Sequence, residues 1–331
     1  MNFYIDPYIL TIDKDSITEN QLEIFIENLI DWKKIIDLNW GNVFKPAESF
    51  EILFENELYP LIDTIKELIN KFNIEYIQPE EIDKIINIIL SKLPTIEESS
   101  QIDDILFDDI DLELNRIEGF TYLLKKIATH IQLDCFINQK DPSKQIILSK
   151  ELSNHEITFD TIITLIDSKK EITTPYQISV NLSCFENFKS FCSITNASNV
   201  WKYGHSKFCL QMALCIKLFQ ITLDEKYLFE QKFSFMDSFH ESVKRLGFKH
   251  EISKIDMLLR TLTEDILHTN MQATHELRAG RGANNPQVSH NDYAAWRRDV
   301  DYEYHLHYWK KMESFIFANV ITHNNFKITK F

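Results

Sequence analysis

Apolar residues recur at every third or fourth position through much of the first 95 residues. Over ITENQLEIFIENLIDWKKIIDLNW this spacing predicts a helix, with Ser16 or Thr18 as N-cap. ELYPLIDTIKELINKF and PEEIDKIINIILSKLP predict further helices, the second with a proline in its first turn and Pro94 as a stop. FYIDPYIL at the start reads as a short strand. Helices are also expected over GFTYLLKKIATHIQLDCFI, in the stretch after Thr158, over KFCLQMALCIKLFQITL, over DSFHESVKRLGF closing on Gly247, and over SKIDMLLRTLTEDILH. Asp141 to Lys144 reads as a polar loop, and PYQISVNL, from Pro175, alternates as a strand does. No internal repeat interrupts this order.

The pattern changes after His275. HELRAGRGANNPQVSHND brings Gly280, Gly282, Asn284, Asn285 and Pro286 close together, which predicts an exposed loop. DVDYEYHLHYWKK then alternates aromatic and polar residues, and SFIFANVITH follows after Met312-Glu313-Ser314, so a hairpin is expected. Alternation sends Tyr302, Tyr304, Leu306 and Tyr308 to one face and Glu303, His305 and His307 to the other. The fold class is α+β: a mainly helical N-terminal body and a small C-terminal antiparallel sheet domain packed on one or two helices. The expected division is a helical domain over 1–96, an acidic linker over 97–114, a mainly helical middle region over 115–250, and a small α+β domain over 251–331 that carries the chemistry.

Composition bounds this picture. The chain has 331 residues, 44% of them hydrophobic and 24 of them Phe, enough for two or three buried cores. No apolar run approaches the roughly 18 residues that span a bilayer, and the first residues have neither a basic start nor a small-residue cleavage site. Five cysteines without a CxxC spacing point to a reducing cytoplasm. Abundant Ile, Asn, Lys and Phe beside only seven Arg are what an AT-rich bacterial genome encodes. The net charge of −15 argues against a generally basic nucleic-acid binder, but its distribution matters more. Residues 251–331 are balanced, with ten acids and ten Lys and Arg, so the whole deficit lies in residues 1–250. Residues 97–114 alone hold eight acids. An acidic body that docks a protein partner or regulator, attached to a locally cationic end, fits this asymmetry.

Five of eleven His and four of seven Arg lie between His275 and His323: His275, His290, His305, His307, His323, Arg278, Arg281, Arg297 and Arg298. Arginine grips phosphate bidentately, and histidine exchanges protons near neutral pH. Tyr293, Trp296, Tyr302, Tyr304, Tyr308 and Trp309 offer flat faces on which bases stack. RNA cleavage without a metal or other cofactor needs one group to remove the 2′-hydroxyl proton and another to protonate the leaving oxygen. It also needs cations to hold the phosphorane charge.

The order of a helix, a basic LR…G loop, a WR start, a YHLHYW strand, a turn and a closing strand ending in His resembles the C-terminal half of RelE-type toxin ribonucleases. The resemblance covers Ile255 to Phe331. It implies a small sheet with basic and aromatic side chains on one face, cutting RNA without metal. It assigns Arg297 or Arg298 to phosphate, His305 or His307 to acid–base work on the central strand, and His323 to the basic position near the last strand. The family's late catalytic tyrosine is not matched, since Phe326 stands nearby. His275 joins the catalytic candidates. Arg278, Arg281, Arg298, Tyr308 and Lys310 are the expected nucleic-acid contacts, with RNA, or alternatively DNA, as partner.

Other readings use the same residues. Arg298 and His305 fall at the long end of the R-x4–6-H spacing of HEPN ribonucleases, which are helical and dimeric, so a homo-oligomer fits that reading. His305-Leu306-His307 puts two imidazoles on one strand face, where His275, His290, His323, Asp292, Asp299 or Asp301 can add zinc ligands for a metal-dependent hydrolase. Asp6, after a short apolar strand, resembles the first acid of a PIN-type nuclease. In a plain structural reading the aromatics pack a core, Arg297 pairs with Asp301 or Glu303, Arg298 pairs with Asp292, and His205 and His240 lie on a loop and a helix surface. The leading expectation is an endoribonuclease of toxin or anti-phage-defence type. The alternative from another class is a non-catalytic subunit that binds nucleic acid or a protein.

Overall fold

A computed structural model describes residues 1–100, 105–107, 114, 116–150, 156–167, 172–204, 207–279, 285–323 and 325–331. The chain forms two compact units, Met1–Phe191 and Cys192–Phe331. The fold class is α+β, as the pattern predicts. Among the described residues no helix is long and apolar enough to cross a membrane.

The first unit is helix-rich. In chain order it contains β1 (Asn2–Ile5), α1 (Glu19–Leu38), β2 (Asn42–Phe44), α2 (Ser49–Glu55), α3 (Ile62–Phe72), α4 (Pro79–Lys92) and α5 (Ile96–Ser100). There follow β3 (Ile105–Phe107), α6 (Glu118–Ile137), β4 (Gln145–Leu148), β5 (Glu156–Asp167) and β6 (Ile172–Phe185), with α7 spanning Phe188–Ile194. Thr18 caps α1 in a capping box with Gln21, which satisfies two otherwise orphaned N–H groups. Pro79 opens α4, where its missing N–H costs nothing. One face of α6, Leu124, Ile127, Ala128 and Ile131, is buried with Tyr4 of β1, Ile147 of β4 and Leu182 of β6.

Beside these helices stands a six-stranded mixed sheet, ordered β2-β1-β4-β6-β5-β3. The helix expected after Thr158 is instead strand β5, paired antiparallel with β6 from Glu156↔Ser183 to Asp167↔Ile172. EITFDTIITLID is rich in β-branched residues, and a partner distant in sequence decides its state. The acidic stretch 97–114 contributes part of α5 and all of β3, which pairs with β5, so its described part belongs to the first unit. The Asp141–Lys144 loop holds a short 3₁₀ turn.

Asp6, weighed as a nuclease acid, closes β1 fully buried. It accepts from Arg116 Nη1 at 2.5 Å and from Ser149 Oγ at 2.6 Å. That carboxylate is committed to an ion pair within the fold.

The second unit contains α8 (Ala197–Tyr203), α9 (Phe208–Thr222), α10 (Lys226–Phe229), β7 (Phe233–Phe235), α11 (Asp237–Arg245) and α12 (Ile252–Ile266). Then come β8 (Thr274–Glu276), β9 (Ser289–His290), β10 (Tyr293–Asp299), β11 (Tyr304–Lys311) and β12 (Ser314–Thr322). As expected for KFCLQMALCIKLFQITL, α9 is apolar and buried almost throughout. Gly247, just beyond α11, has φ +86°, a conformation that costs glycine no Cβ clash. The sheet runs β7-β12-β11-β10-β8, with β9 on β10. It is antiparallel apart from the β7–β12 pair. The predicted hairpin is β11–β12, turned at Met312, which has φ 52°. Tyr302, expected on the strand face, precedes β11 and is 89% exposed. His205 and Arg281 lie outside the described residues.

Arg116→Met is expected to destabilise the first unit by roughly 3–5 kcal/mol, because it leaves Asp6 charged, buried and unpaired. Adding Asp6→Asn should recover much of that loss. Urea denaturation of both variants measures it, and an Arg116→Met protein as stable as wild type would refute the pairing.

Candidate active site on the C-terminal sheet

Residues directly opposite one another on neighbouring strands share a face of the sheet. His275 of β8 lies opposite Arg297 of β10, Arg297 opposite His307 of β11, and His307 opposite Asn319 of β12. One rung therefore carries two imidazoles, a guanidinium and an amide on the same face. The adjoining rung on that face places Asp299 opposite His305. The other face carries Arg298, Leu306 and Val320, and beside them Trp296, Tyr308 and Phe317. Helices cover that second face. Ser242 of α11 accepts from Val320 N at 2.9 Å, and Asp265 of α12 lies 3.4 Å from Arg298 Nη1.

The first face is crowded and polar. His305 Nδ1 sits 2.8 Å from Asp299 Oδ1, although the approach lacks the alignment of a hydrogen bond. His275 Nε2 is 3.9 Å from the other oxygen of Asp299. The His323 ring lies tilted against His305, with centroids 4.6 Å apart and planes at 38°, and His323 N donates to Glu303 O at 2.8 Å. His305 is 1% exposed and His307 fully buried, while His275 and His323 are exposed. Asn319 Nδ2 donates to Lys327 O at 3.2 Å, and His307 Nδ1 lies 3.3 Å from the same oxygen. The guanidinium of Arg297 rides over the Phe326 ring at 5.6 Å.

Several buried polar atoms on this face have no hydrogen-bond partner in the protein: both ring nitrogens of His305, His307 Nε2, Arg297 Nε, Asn319 Oδ1 and Asp299 Oδ1. Burial holds the His305 pKa below its ordinary value, with the positive charge of Arg297 adding to the effect and Asp299 opposing it. Burial lowers His307 to about 4. Both imidazoles are therefore neutral bases at pH 7.

The cluster brings together His275, Arg297, His305, His307 and His323. It excludes others expected in it. Arg298 is 1% exposed on the opposite face. It donates to Glu264, to Asn270 O at 2.8 Å and to Thr274 Oγ1 at 3.0 Å, beside Asp265. Burial pushes Asp265 up to about 6 against the pull of that guanidinium. Tyr308 is buried on the same side, next to Asp265, and burial raises its hydroxyl above the ordinary value. Lys310 also lies on the helix-covered side, 3.4 Å from His268 Nδ1 and over the Phe315 ring. Arg278 is held by Asn285 O at 2.8 Å and Glu276 at 2.7 Å. Arg298 and His305 sit on separate strands and opposite faces, so the helical R-x-H pairing does not form. Among the described residues no set of three or more His, Cys, Asp or Glu converges as metal ligands do.

Asp299 and Asn319 were not expected as partners of the histidines in acid–base chemistry. Alternation along β10 carries the signal for Asp299, since it places that carboxylate two residues from Arg297 on the same face. Asn319 has no such local signal, because a β-bulge between His307 and Tyr308 sets its register against His307. Comparison with known protein families, with curated proteins and with solved structures finds no match.

The shift at His307 generates a stability prediction. The ordinary imidazole pKa is about 6.5, so between about 6.5 and about 4 the folded protein binds fewer protons than the unfolded chain. Stability therefore falls as pH drops through that window, by about 1.4 kcal/mol per pH unit for one such group. Asp265 works in the opposite sense, since its raised pKa makes the folded state bind more protons below about 6. His307→Gln removes only the first effect. Its melting temperature should fall less steeply from pH 6.5 to 4.5 than that of the wild type, and parallel curves would refute the burial of a neutral His307.

Proposed function

We propose that the His/Arg cluster on the face of the second unit's sheet turned away from its helices is the active site of a metal-independent endoribonuclease, of the kind found in toxin and anti-phage systems. The observation that carries this reading is the His305 imidazole. Asp299 sits at its Nδ1, its Nε2 is unpartnered, and its pKa is lowered so that the free nitrogen is a base at neutral pH. Nearby are a guanidinium, Arg297, and a second imidazole, His323, tilted against the first. These are the parts that 2′-hydroxyl attack on phosphate needs.

In this reading His305 Nε2 takes the 2′-hydroxyl proton as the 2′-oxygen bonds to phosphorus. Arg297 holds the charge that builds on the phosphoryl oxygens. His323 in its protonated form donates to the 5′-oxygen as the P–O5′ bond breaks, leaving a 2′,3′-cyclic phosphate and a 5′-hydroxyl. Asp299, 2.8 Å from His305 Nδ1, stabilises the imidazolium that forms. His275, within reach of the other Asp299 oxygen, adds positive charge when protonated. No step requires a metal or cofactor.

End-labelled single-stranded RNA incubated in EDTA should be cut by the wild-type protein. His305→Ala is expected to slow cleavage by about 10²–10⁴-fold, with Asp299→Asn and Arg297→Ala also strongly impaired. The limb of activity governed by His305 should lie below pH 6.5, because its pKa is lowered. Binding without cleavage, unaffected by His305→Ala, would replace this reading with that of a non-catalytic RNA-binding subunit. Cleavage only with added divalent cation would refute it.

A further inference from the structure

The site is not open above the His307 rung. The segment Asn325–Phe331 runs across it without helical or strand structure. Beyond the turn where Asn325 N donates to Thr322 O at 3.0 Å, its polar contacts with the sheet come from main-chain oxygens. Lys327 O faces His307 Nδ1 and Asn319 Nδ2 at 3.3 and 3.2 Å. Thr329 O accepts from Trp309 Nε1 at 2.8 Å, and Phe331 O lies 2.8 Å from His290 Nε2. Every second carbonyl therefore meets the sheet, at a repeat of roughly 7 Å in extended chain. The apolar side chains fill the gaps. Phe326 lies under Arg297, and Ile328 packs with Ala295 and Trp309. The Phe331 ring contacts His290, Tyr293 and Trp309. The side chains of Lys327 and Lys330 are exposed.

Below the segment, His307, Asn319, Trp309 and His290 thus form a row of donors that reads one acceptor oxygen per repeat. The phosphates of a single-stranded nucleic acid present acceptor oxygens at a comparable pitch, and its bases stack on aromatic rings. Trp309 and Tyr293 supply such rings once Phe331 leaves them. We propose that Asn325–Phe331 is a strap seated in the RNA groove. The RNA backbone and the strap compete for the donors of Asn319, Trp309 and His290, which form a subsite beside the scissile phosphate. This rests on the ribonuclease reading of the same face. A docked strap lowers apparent RNA affinity by the fraction of time the groove is open.

The test measures binding of a fluorescein-labelled single-stranded RNA by anisotropy, with cleavage in EDTA followed in parallel. Three proteins are compared: the full chain, Ile328→Asp, and a chain stopped after Asn325. Ile328→Asp places a charge among Ala295, Trp309 and Ile316 and should eject the strap. The truncation serves if that variant fails to fold, as judged by circular dichroism. Both changes should tighten RNA binding by about tenfold or more, and a synthetic peptide of residues 325–331 added to the truncated protein should reverse the gain. Unchanged RNA affinity in a folded variant, or a peptide that does not compete, overturns the strap while cleavage by the full chain leaves the ribonuclease reading standing. If none of the proteins binds or cuts RNA, the ribonuclease reading falls and the strap's role falls with it.

Discussion

The buried guanidinium of Arg298 determines the rest of the second unit. It projects from β10 and is gripped by Glu264 and Asp265 of α12, by the Asn270 carbonyl ahead of β8 and by the Thr274 hydroxyl at its start. A charge in that position is tolerated only with its partners in place, so helix and sheet are locked at one register. The helices then cover the face of Arg298, Tyr308 and Phe317. Because strand side chains alternate, Arg297, Asp299, His305 and His307 must emerge on the other side. One buried ion pair thus goes with two adjacent arginines turned to opposite faces of the sheet.

The chemical face depends on burial as much as on residue type. A histidine in water titrates near 6.5. Beneath His323 and beside Arg297, His305 is held below that value, and His307, deeper still, is lowered to about 4. Asp299 opposes the shift and stands 2.8 Å from one imidazole nitrogen.

The first unit shows the opposite use of charge. Asp6, at the end of a parallel strand, is clamped by Arg116 and Ser149 and is fully enclosed. A position that attracts attention as a nuclease acid is, in the folded chain, part of the join between β1, β4 and the entry to α6. The acidic stretch near residue 100 likewise contributes a strand, Ile105–Phe107, to the sheet.

Local signals written in the chain were legible from it alone. The α+β class, the capped α1, the proline-led α4, the buried α9, the β11–β12 hairpin and the gathering of His and Arg beyond residue 275 all follow from periodicity, caps and turn residues. Those are interactions between positions a few residues apart. Tertiary structure decided what depends on distant partners. It made the segment after Thr158 a strand by pairing it with β6. It buried Arg298 and Tyr308 by placing α12 against them. It set Asn319 opposite His307 through a bulge and laid Lys327 and Thr329 across both strands. Strand alternation says that neighbouring residues part to opposite faces, but only the packing of helices says which face is covered. That choice put Arg297, Asp299 and His305 together on the face away from the helices.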